Sequence, residues 1–417
     1  MTSHYDIAVI GAGPAGLMAA AVAAASGASV VLLEKNDKAG RKLLITGKGR
    51  CNLTIVEEEL ENFIAAFGKN GKFLYSALHE FGIEETIKFF TILGLPTKVE
   101  RGKRVFPVSD SASDLLSALL NYAQKNKVRL ITNCAVKKIE GKKKITKVIT
   151  TKGEIEADKF ILATGGLSYR ATGSSGDGLA WARELGHTII KPRPALTPII
   201  CREEWIKETE GLSLRNVRIT AYQNNKKQDE RFGEALFTRN GMSGPIILDM
   251  SKKIGELLEN GEVELRIDLK QALEYPKLDA RILRDFQKHS KAMFKNSLAE
   301  LLPQSLIPVF IKLSGIDPYK VVNSITKEER KRLLHLLKEL TVHATAVEGF
   351  DKAVITSGGV SLKEIDPKTM KSKLVENLYF VGELLDLDGP TGGYNLQVCW
   401  STGHLAGKIA NPLDTPI

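Results

Sequence analysis

The chain has 417 residues, 43% of them hydrophobic, with 59 Lys and Arg against 49 Asp and Glu, giving a formal net charge of +10. A single core stops growing near 250–300 residues, so this composition describes a soluble globular protein of two or three domains. The apolar stretch Gly16 to Leu33 is interrupted by Ser26-Gly27 and lacks a basic flank, which argues against a signal peptide or a membrane span and leaves the cytoplasm as the expected compartment. Cys51, Cys134, Cys201 and Cys399 are far apart with no Cys-x-x-Cys pair, so no metal site and no disulfide framework is expected.

In chain order, Tyr5 to Ile10 predicts a strand, Pro14 to Ala25 an Ala-rich helix and Ser29 to Leu33 a second strand ending at Glu34, which is a βαβ unit. Gly40 to Asn52 is a loop of Gly, Lys and Arg. Amphipathic helical text follows from Glu57 to about Leu93, then a helix from Ser111 to Asn126 capped by Ser109 or Asp110. Strands are expected at Val128–Thr132, Ala135–Ile139, Ile145–Thr151, Ile155–Asp158 and Lys159–Ala163, the last leading into Thr164-Gly165-Gly166.

The double proline at Lys191-Pro192-Arg193-Pro194 suits a domain crossover. Beyond it, Leu196 to about Leu269 reads as short strands and turns, and Tyr275 to Leu340 as helical. The expectation is a discontinuous nucleotide-binding domain, residues 1–190 and 351–417. A β-rich domain (191–270 and 341–350) and a helical domain (271–340) would interrupt it.

Two glycine-rich segments carry the chemistry. In Gly11-Ala-Gly-Pro14-Ala15-Gly16, Gly11 allows a tight turn, Gly13 lets backbone approach a diphosphate, and Gly16 lets helix and strand pack closely. The helix N-terminus directs N–H groups at the phosphates, and Glu34 can accept from both ribose hydroxyls while repelling a 2′-phosphate. Near the other end, Gly382-Glu383 closes an apolar strand, and Gly389-Pro-Thr-Gly392-Gly393 opens a helix at Tyr394-Asn395-Leu396-Gln397. A second helix N-terminus suits the polarised pyrimidine edge of a flavin. Two such segments so far apart point to one long cofactor, a flavin dinucleotide.

Further motifs, Gly40 to Thr54, Arg104-Val-Phe-Pro107, Ala163-Thr-Gly-Gly166, Thr172 to Gly178, Gly233 to Thr238 and Gly241-Met-Ser-Gly-Pro245, join these in a resemblance covering almost the whole chain. It is to a bacterial family of FAD-dependent oxidoreductases described as aminoacetone oxidase-like or similar to a bile-acid-inducible flavin reductase. The resemblance implies an α/β fold with a Rossmann-like FAD-binding domain of the two-dinucleotide-binding type, interrupted by barrel-like and helical domains. It further implies that Gly11, Gly13, Pro14, Ala15 and Gly16 hold the diphosphate, and Glu34 and Lys35 the adenosine ribose. Arg41, Lys42, Thr46, Gly47, Gly49, Arg50, Cys51 and Asn52 would form a loop around diphosphate and flavin, with Val136 beside the adenine. Thr164, Gly165 and Gly166 would turn near FAD, Gly382 and Glu383 would meet the ribityl chain, and Gly392, Gly393, Asn395, Leu396 and Gln397 would face the isoalloxazine. Ile55 stands where family members often carry Asn, and Arg170 where Pro is expected, which bears on substrate preference.

The resemblance implies an oxidoreductase in which FAD accepts hydride from NADH, NADPH or a small amine or amino ketone and passes electrons to oxygen or an unsaturated acceptor. No second glycine fingerprint provides a separate nicotinamide domain, so NADH or NADPH would enter transiently from the substrate side, between the FAD domain and the insertion. Cys51, beside Lys48 and Arg50, invites a low-pKa thiol but lacks a dithiol partner. His343 reads as a core histidine or an acid–base near a substrate. The basic run Lys125 to Lys152 reads as a solvated hairpin, since no aromatic interleaves it to stack on bases; an FAD-containing RNA-binding or RNA-modifying protein is the alternative.

Overall fold

The computed structural model describes residues 3–410, which divide into two compact units: one runs to Ala195 and resumes at Phe350, the other is Leu196–Gly349. In the first unit, a parallel sheet is built from Arg129–Ile131, Val30–Leu33, Ser3–Ile10, Gly153–Leu162 and Leu378–Phe380. Strands Ile145–Thr150 and Val136–Gly141 extend it in antiparallel fashion. Val30–Leu33 is buried throughout, as expected for a parallel sheet covered on both faces. Residues expected as two strands, 155–158 and 159–163, form the one strand Gly153–Leu162.

The Ala-rich helix Pro14–Ala25 is buried from Ala15 to Ala24. It lies against the last helix, Tyr394–Ile409, at backbone distance: a Cβ at Gly403 would come within 2.5 Å of the Ala15 carbonyl oxygen, and one at Gly407 within 2.4 Å of that of Ala19. The two glycine-rich segments therefore meet through their helices. The text from Glu57 to Leu93 resolves into short helical pieces, Leu60–Ala65, Gly68–Leu74, Tyr75–Glu80 and Ile83–Ile92. The cap of helix Ala112–Lys125 is Ser111, whose hydroxyl accepts from the Asp114 N–H at 3.3 Å. Asp110, one of the two expected caps, has a left-handed φ of 54° and gives its carboxylate to Arg50 and Lys98 instead.

The double proline lies one element earlier than a crossover there requires. Ile189–Ala195 is a strand of the first unit, paired with Ile355–Val360, and its register shifts between Ile190 and Arg193. That bulge spans Pro192, which has no N–H to give a ladder. The boundary follows at Ala195/Leu196.

The second unit holds a closed barrel ordered Ile199–Cys201, Gly241–Ser243, Lys226–Thr238, Ser213–Gln223, Val263–Asp268 and Leu340–Val347. Helix Pro245–Leu257, placed within text read as strands and turns, starts on the helix-favouring Gly-Pro pair. Helices Tyr275–Lys288, Ile307–Ser314 and Lys327–Lys338 share one hydrophobic core with the barrel, from Ile219 and Leu265 to Phe310 and Leu337, so the β-rich and helical stretches form one unit.

The tight helix apposition yields a stability test. Gly407→Leu is expected to lower unfolding free energy by about 1–3 kcal/mol, because the new side chain must displace the backbone at Ala19. A urea midpoint equal to that of the parent protein would reject the close packing.

Candidate functional site

The first strand ends at Gly11, whose φ of +102° and lack of a side chain are both required: a Cβ there would stand 2.6 Å from the Ala163 carbonyl oxygen. A Cβ at Gly16 would lie 1.9 Å from the Gly11 carbonyl oxygen. Gly13 differs. Nothing lies within 4 Å of its Cβ position, and as N-cap of helix Pro14–Ala25 it supplies no side chain to the first-turn N–H groups. Open space at a helix N-terminus makes a cradle for a diphosphate.

Glu34 is 8% exposed, and its carboxylate is aimed by three donors: Ala12 N–H at 3.0 Å, and the backbone and side-chain N–H groups of Asn36 at 2.8 Å each. The Cys134 N–H donates to the Glu34 carbonyl at 2.8 Å, which brings the run leading to Val136 beside the same strand end. Lys35, by contrast, turns to Ser175 and to Asp177 at 2.8 Å. Its ammonium fastens the loop before helix Asp177–Glu184. Arg41 pairs with Asp37 at 2.9 Å.

The loop after helix Arg41–Ile45 passes through left-handed backbone at Gly47, Lys48, Gly49 and Cys51. Thr46 donates its hydroxyl to the Leu43 carbonyl at 2.6 Å. Arg50 is drawn away by Asp110 at 2.9 Å and by Glu100, with its guanidinium 4.2 Å over the Phe106 ring, so only its backbone remains for a ligand. The low-pKa reading that the basic neighbours of Cys51 invite is not met: burial pushes its thiol up to about 12. A thiolate is not the stable form there, and redox chemistry at this sulfur has no support.

The C-terminal segment supplies a carboxylate held from three sides. Glu383 Oε2 accepts from Lys42 Nζ at 2.6 Å, while Oε1 accepts from the Ser168 hydroxyl and the Thr356 N–H at 2.8 Å each. Lys42 also donates to the Ser168 hydroxyl at 2.6 Å. A carboxylate offers about four acceptor positions, so about one remains for a ligand hydroxyl. Ser168 and Thr356 went unnoticed in the sequence because single polar residues carry no spacing signal. Gly166 sits inside this cluster, where a Cβ would come within 2.4 Å of Thr356 Oγ1; Gly165 adjoins Ser174, and Gly382 adjoins Ala15.

At the last helix, Gly393 caps with φ +110° and no side-chain hydrogen bond, and Gly392 precedes it at +114°. Two residues expected to face a flavin ring are committed elsewhere. Asn395 clamps the preceding loop, accepting from Gly389 N–H at 2.9 Å and donating to the Gly389 and Pro390 carbonyls. Gln397 is wholly buried, accepting from Thr54 and donating to Gly82, Thr86 and Ser401. Leu396 packs on the core. What this segment can offer a ring is the helix N-terminus itself.

Two buried side-chain oxygens in these loops have no hydrogen-bond partner, Asn52 Oδ1 and Thr164 Oγ1. Each costs about 1–3 kcal/mol when unsatisfied. Together with the open cradle at Gly13 and the aimed Glu34, they fit a bound dinucleotide. His343 lies in the other unit on the barrel strand Leu340–Val347, half-buried, with its Nδ1 hydrogen-bonded to Glu203 Oε1 at 2.7 Å.

Residues 5–409 match the HI0933-like protein Rossmann domain family. The chain belongs to that family. Among the relatives that cover it almost end to end are two of different named activity. The 3-dehydro-bile acid delta(4,6)-reductase of Clostridium scindens is 33% identical over 97% of this chain and 98% of its own. A ribosomal RNA dihydrouridine synthase of Haemophilus influenzae is 30% identical over 97% and 98%. Among solved structures, a 3-ketosteroid-delta4-(5alpha)-dehydrogenase from Rhodococcus jostii shares the fold, with a TM-score of 0.51 and 16% identity over 98% of this chain and 96% of that one. The protein is an FAD-dependent oxidoreductase with a Rossmann-type FAD-binding fold. No helix among the described residues is long and apolar enough to cross a membrane.

Glu34→Ala is expected to weaken FAD binding by about 1.5–3 kcal/mol through lost charged hydrogen bonds; flavin retained equally after dialysis would contradict the assignment. A second expectation concerns His404 on the last helix, stacked on Phe81 at 4.3 Å with Nδ1 buried and unpartnered. Burial pushes its pKa from 6.5 down to about 4. The neutral ring therefore favours the folded state fully above about pH 6.5, and that contribution is lost as pH falls toward about 4. His404→Phe should flatten the loss of stability over this window; urea midpoints at pH 5 and 8 that fall by the same amount in both proteins would contradict it.

Proposed function

We propose that the protein reduces a carbon–carbon double bond conjugated to a carbonyl, with NADH or NADPH as electron donor and a small unsaturated ketone as acceptor. The observation that carries this is shared chemistry. The names of these full-length relatives describe saturation of a ring double bond activated by a nearby carbonyl, in a 3-keto bile acid and in uridine. Bound FAD would supply two-electron hydride chemistry, and the acceptor would gain a hydride at one carbon and a proton at the other.

The chain's own residues bind and orient. Gly11 to Gly16 and the N-terminus of helix Pro14–Ala25 receive the diphosphate, with Gly13 allowing close approach. Glu34, held by Ala12 and Asn36, receives the ribose hydroxyls. Asn52 and Thr164 border the ligand loops, and Glu383 offers its remaining acceptor position, its carboxylate held in place by Lys42 at 2.6 Å. The uncapped N-terminus at Gly393 faces partial negative charge at the ring edge.

A second reading is favoured by the dihydrouridine relative: the same site acting on uracil within RNA. Anaerobic mixing with NADH or NADPH should bleach the flavin, and a 3-keto-Δ4,6 steroid acid should then restore its colour. Reoxidation by a uridine-containing ribosomal RNA fragment alone would select the second reading. Bleaching by an amine or amino ketone, with neither pyridine nucleotide effective, would overturn the proposal.

A further inference from the structure

The basic run of the hairpin is larger in space than in sequence. Its turn exposes Lys142, Lys143 and Lys144 between strands Val136–Gly141 and Ile145–Thr150. A segment more than 200 residues later is fastened to it. The Glu376 N–H donates to the Lys143 carbonyl at 2.8 Å, and the Asn377 side chain bonds both backbone groups of Ile145 and the Asp158 carbonyl. This holds the segment ending at Glu376 against the hairpin turn, with Lys371 close enough to Lys159 for their charges to interact; Lys373, exposed on the same segment, donates its ammonium to the Lys363 carbonyl at 2.9 Å.

The charge here is uncompensated. Lys138 and Lys147 of the hairpin are paired with Glu140 and Glu154, whereas Lys142, Lys143, Lys144 and Lys371 form no ion pair among the described residues. Half-burial and then the neighbouring Lys371 charge hold the Lys159 ammonium below its ordinary pKa, against the opposing pull of Asp158 and Asp6. Asp158 is shared with His4 at 3.2 Å, and Glu376 is exposed. Lys159 and Lys371, from two distant segments, thus lie within reach of each other's charge.

We infer that this lysine ridge, Lys142 to Lys144 with Lys159, Lys371 and Lys373, is a docking surface for the phosphate backbone of structured RNA. Tyr379, the aromatic nearest in the chain to the Lys371–Lys373 segment, is buried, so the ridge offers no platform for stacking unpaired bases and fits the backbone of a duplex. Leu374 is the one large exposed apolar side chain in the segment, too little to anchor in a lipid surface. The choice of RNA among polyanions rests on the second reading above, since two relatives, 30% and 29% identical, are ribosomal RNA dihydrouridine synthases. Docking is separate from reduction. Strand Leu378–Phe380 leads from this ridge to Gly382-Glu383, so an RNA held here lies one short strand from a residue of the candidate site.

Fluorescence anisotropy of the full, flavin-loaded chain with a labelled RNA hairpin, across a salt series, tests the surface. The triple variant K142E/K143E/K144E and the double variant K371E/K373E should each weaken binding at least tenfold at fixed salt. Each lost phosphate contact should also reduce the log–log salt slope by about 0.7–0.9. Flavin content and urea midpoint should match the parent, which separates lost docking from lost folding. The control K327E/K331E, on an exposed helix of the other unit, should change affinity little. No binding at low salt, equal weakening by the control, or binding to anionic phosphatidylserine vesicles but not RNA would each overturn the proposal. Lysine-dependent RNA binding without RNA-driven flavin reoxidation would leave the docking surface standing and remove only the second reading.

Discussion

The carboxylate of Glu383 is the contact on which the candidate site depends. Lys42, Ser168 and Thr356 all donate to it, so four segments drawn from the start, middle and end of the chain meet at one group. Lys42 and Glu383 have 20% and 16% of their side chains exposed, and a pair so little solvated is held by geometry more than by attraction. Removing either partner would leave the other charged and half-buried, and the cluster would open at the point where the Thr164 to Gly166 turn must be fixed. Glu383 is thus a structural clasp before it is a ligand group.

Glycine does the corresponding work without charge. Gly403 and Gly407 let the last helix lie on the backbone of the first, and Gly382 sets the C-terminal turn against Ala15. Each contact joins residues from opposite ends of the chain. The intervening unit Leu196–Gly349 is inserted between strands Ile189–Ala195 and Ile355–Val360, which are hydrogen-bonded partners. Closure of that pair restores the continuity that the insertion interrupts, so the discontinuous domain carries little strain from its interruption.

The βαβ unit was legible because three signals coincide there: an apolar strand, glycines at fixed offsets and an acidic residue at the next strand end. The barrel was legible only as a change of texture, since short strands have no long periodicity, and helix Pro245–Leu257 was hidden among them. Side-chain roles were the least legible. Arg50, Lys35, Asn395 and Gln397 all stand in motif positions, yet each is bound to a partner that sequence spacing does not reveal: Asp110, Asp177, Gly389 and Thr86. A motif records that a residue is needed at a place, and it does not say whether the need is a ligand or a neighbouring loop. In the same way Cys51 reads as activated from its basic neighbours, although the fold turns those neighbours outward and buries the sulfur.

The remaining polar groups follow a pattern with a thermodynamic meaning. Wherever a side chain in the motif loops serves the fold, its hydrogen bonds are complete, as at Gln397 and Asn395. Asn52 Oδ1 and Thr164 Oγ1 break that rule although each atom is buried, and both belong to segments read as cofactor loops. An unsatisfied buried oxygen lowers the stability of the folded chain by about 1–3 kcal/mol, a cost that a ligand donor can reverse on binding. A fold that leaves such atoms open gains more from a bound dinucleotide than the area it buries would suggest, because binding also repairs the hydrogen-bond count. Folding and ligand binding are linked wherever binding satisfies such an atom, and Glu383, bonded to Ser168 and Thr356, fixes the chain next to the Thr164 to Gly166 turn.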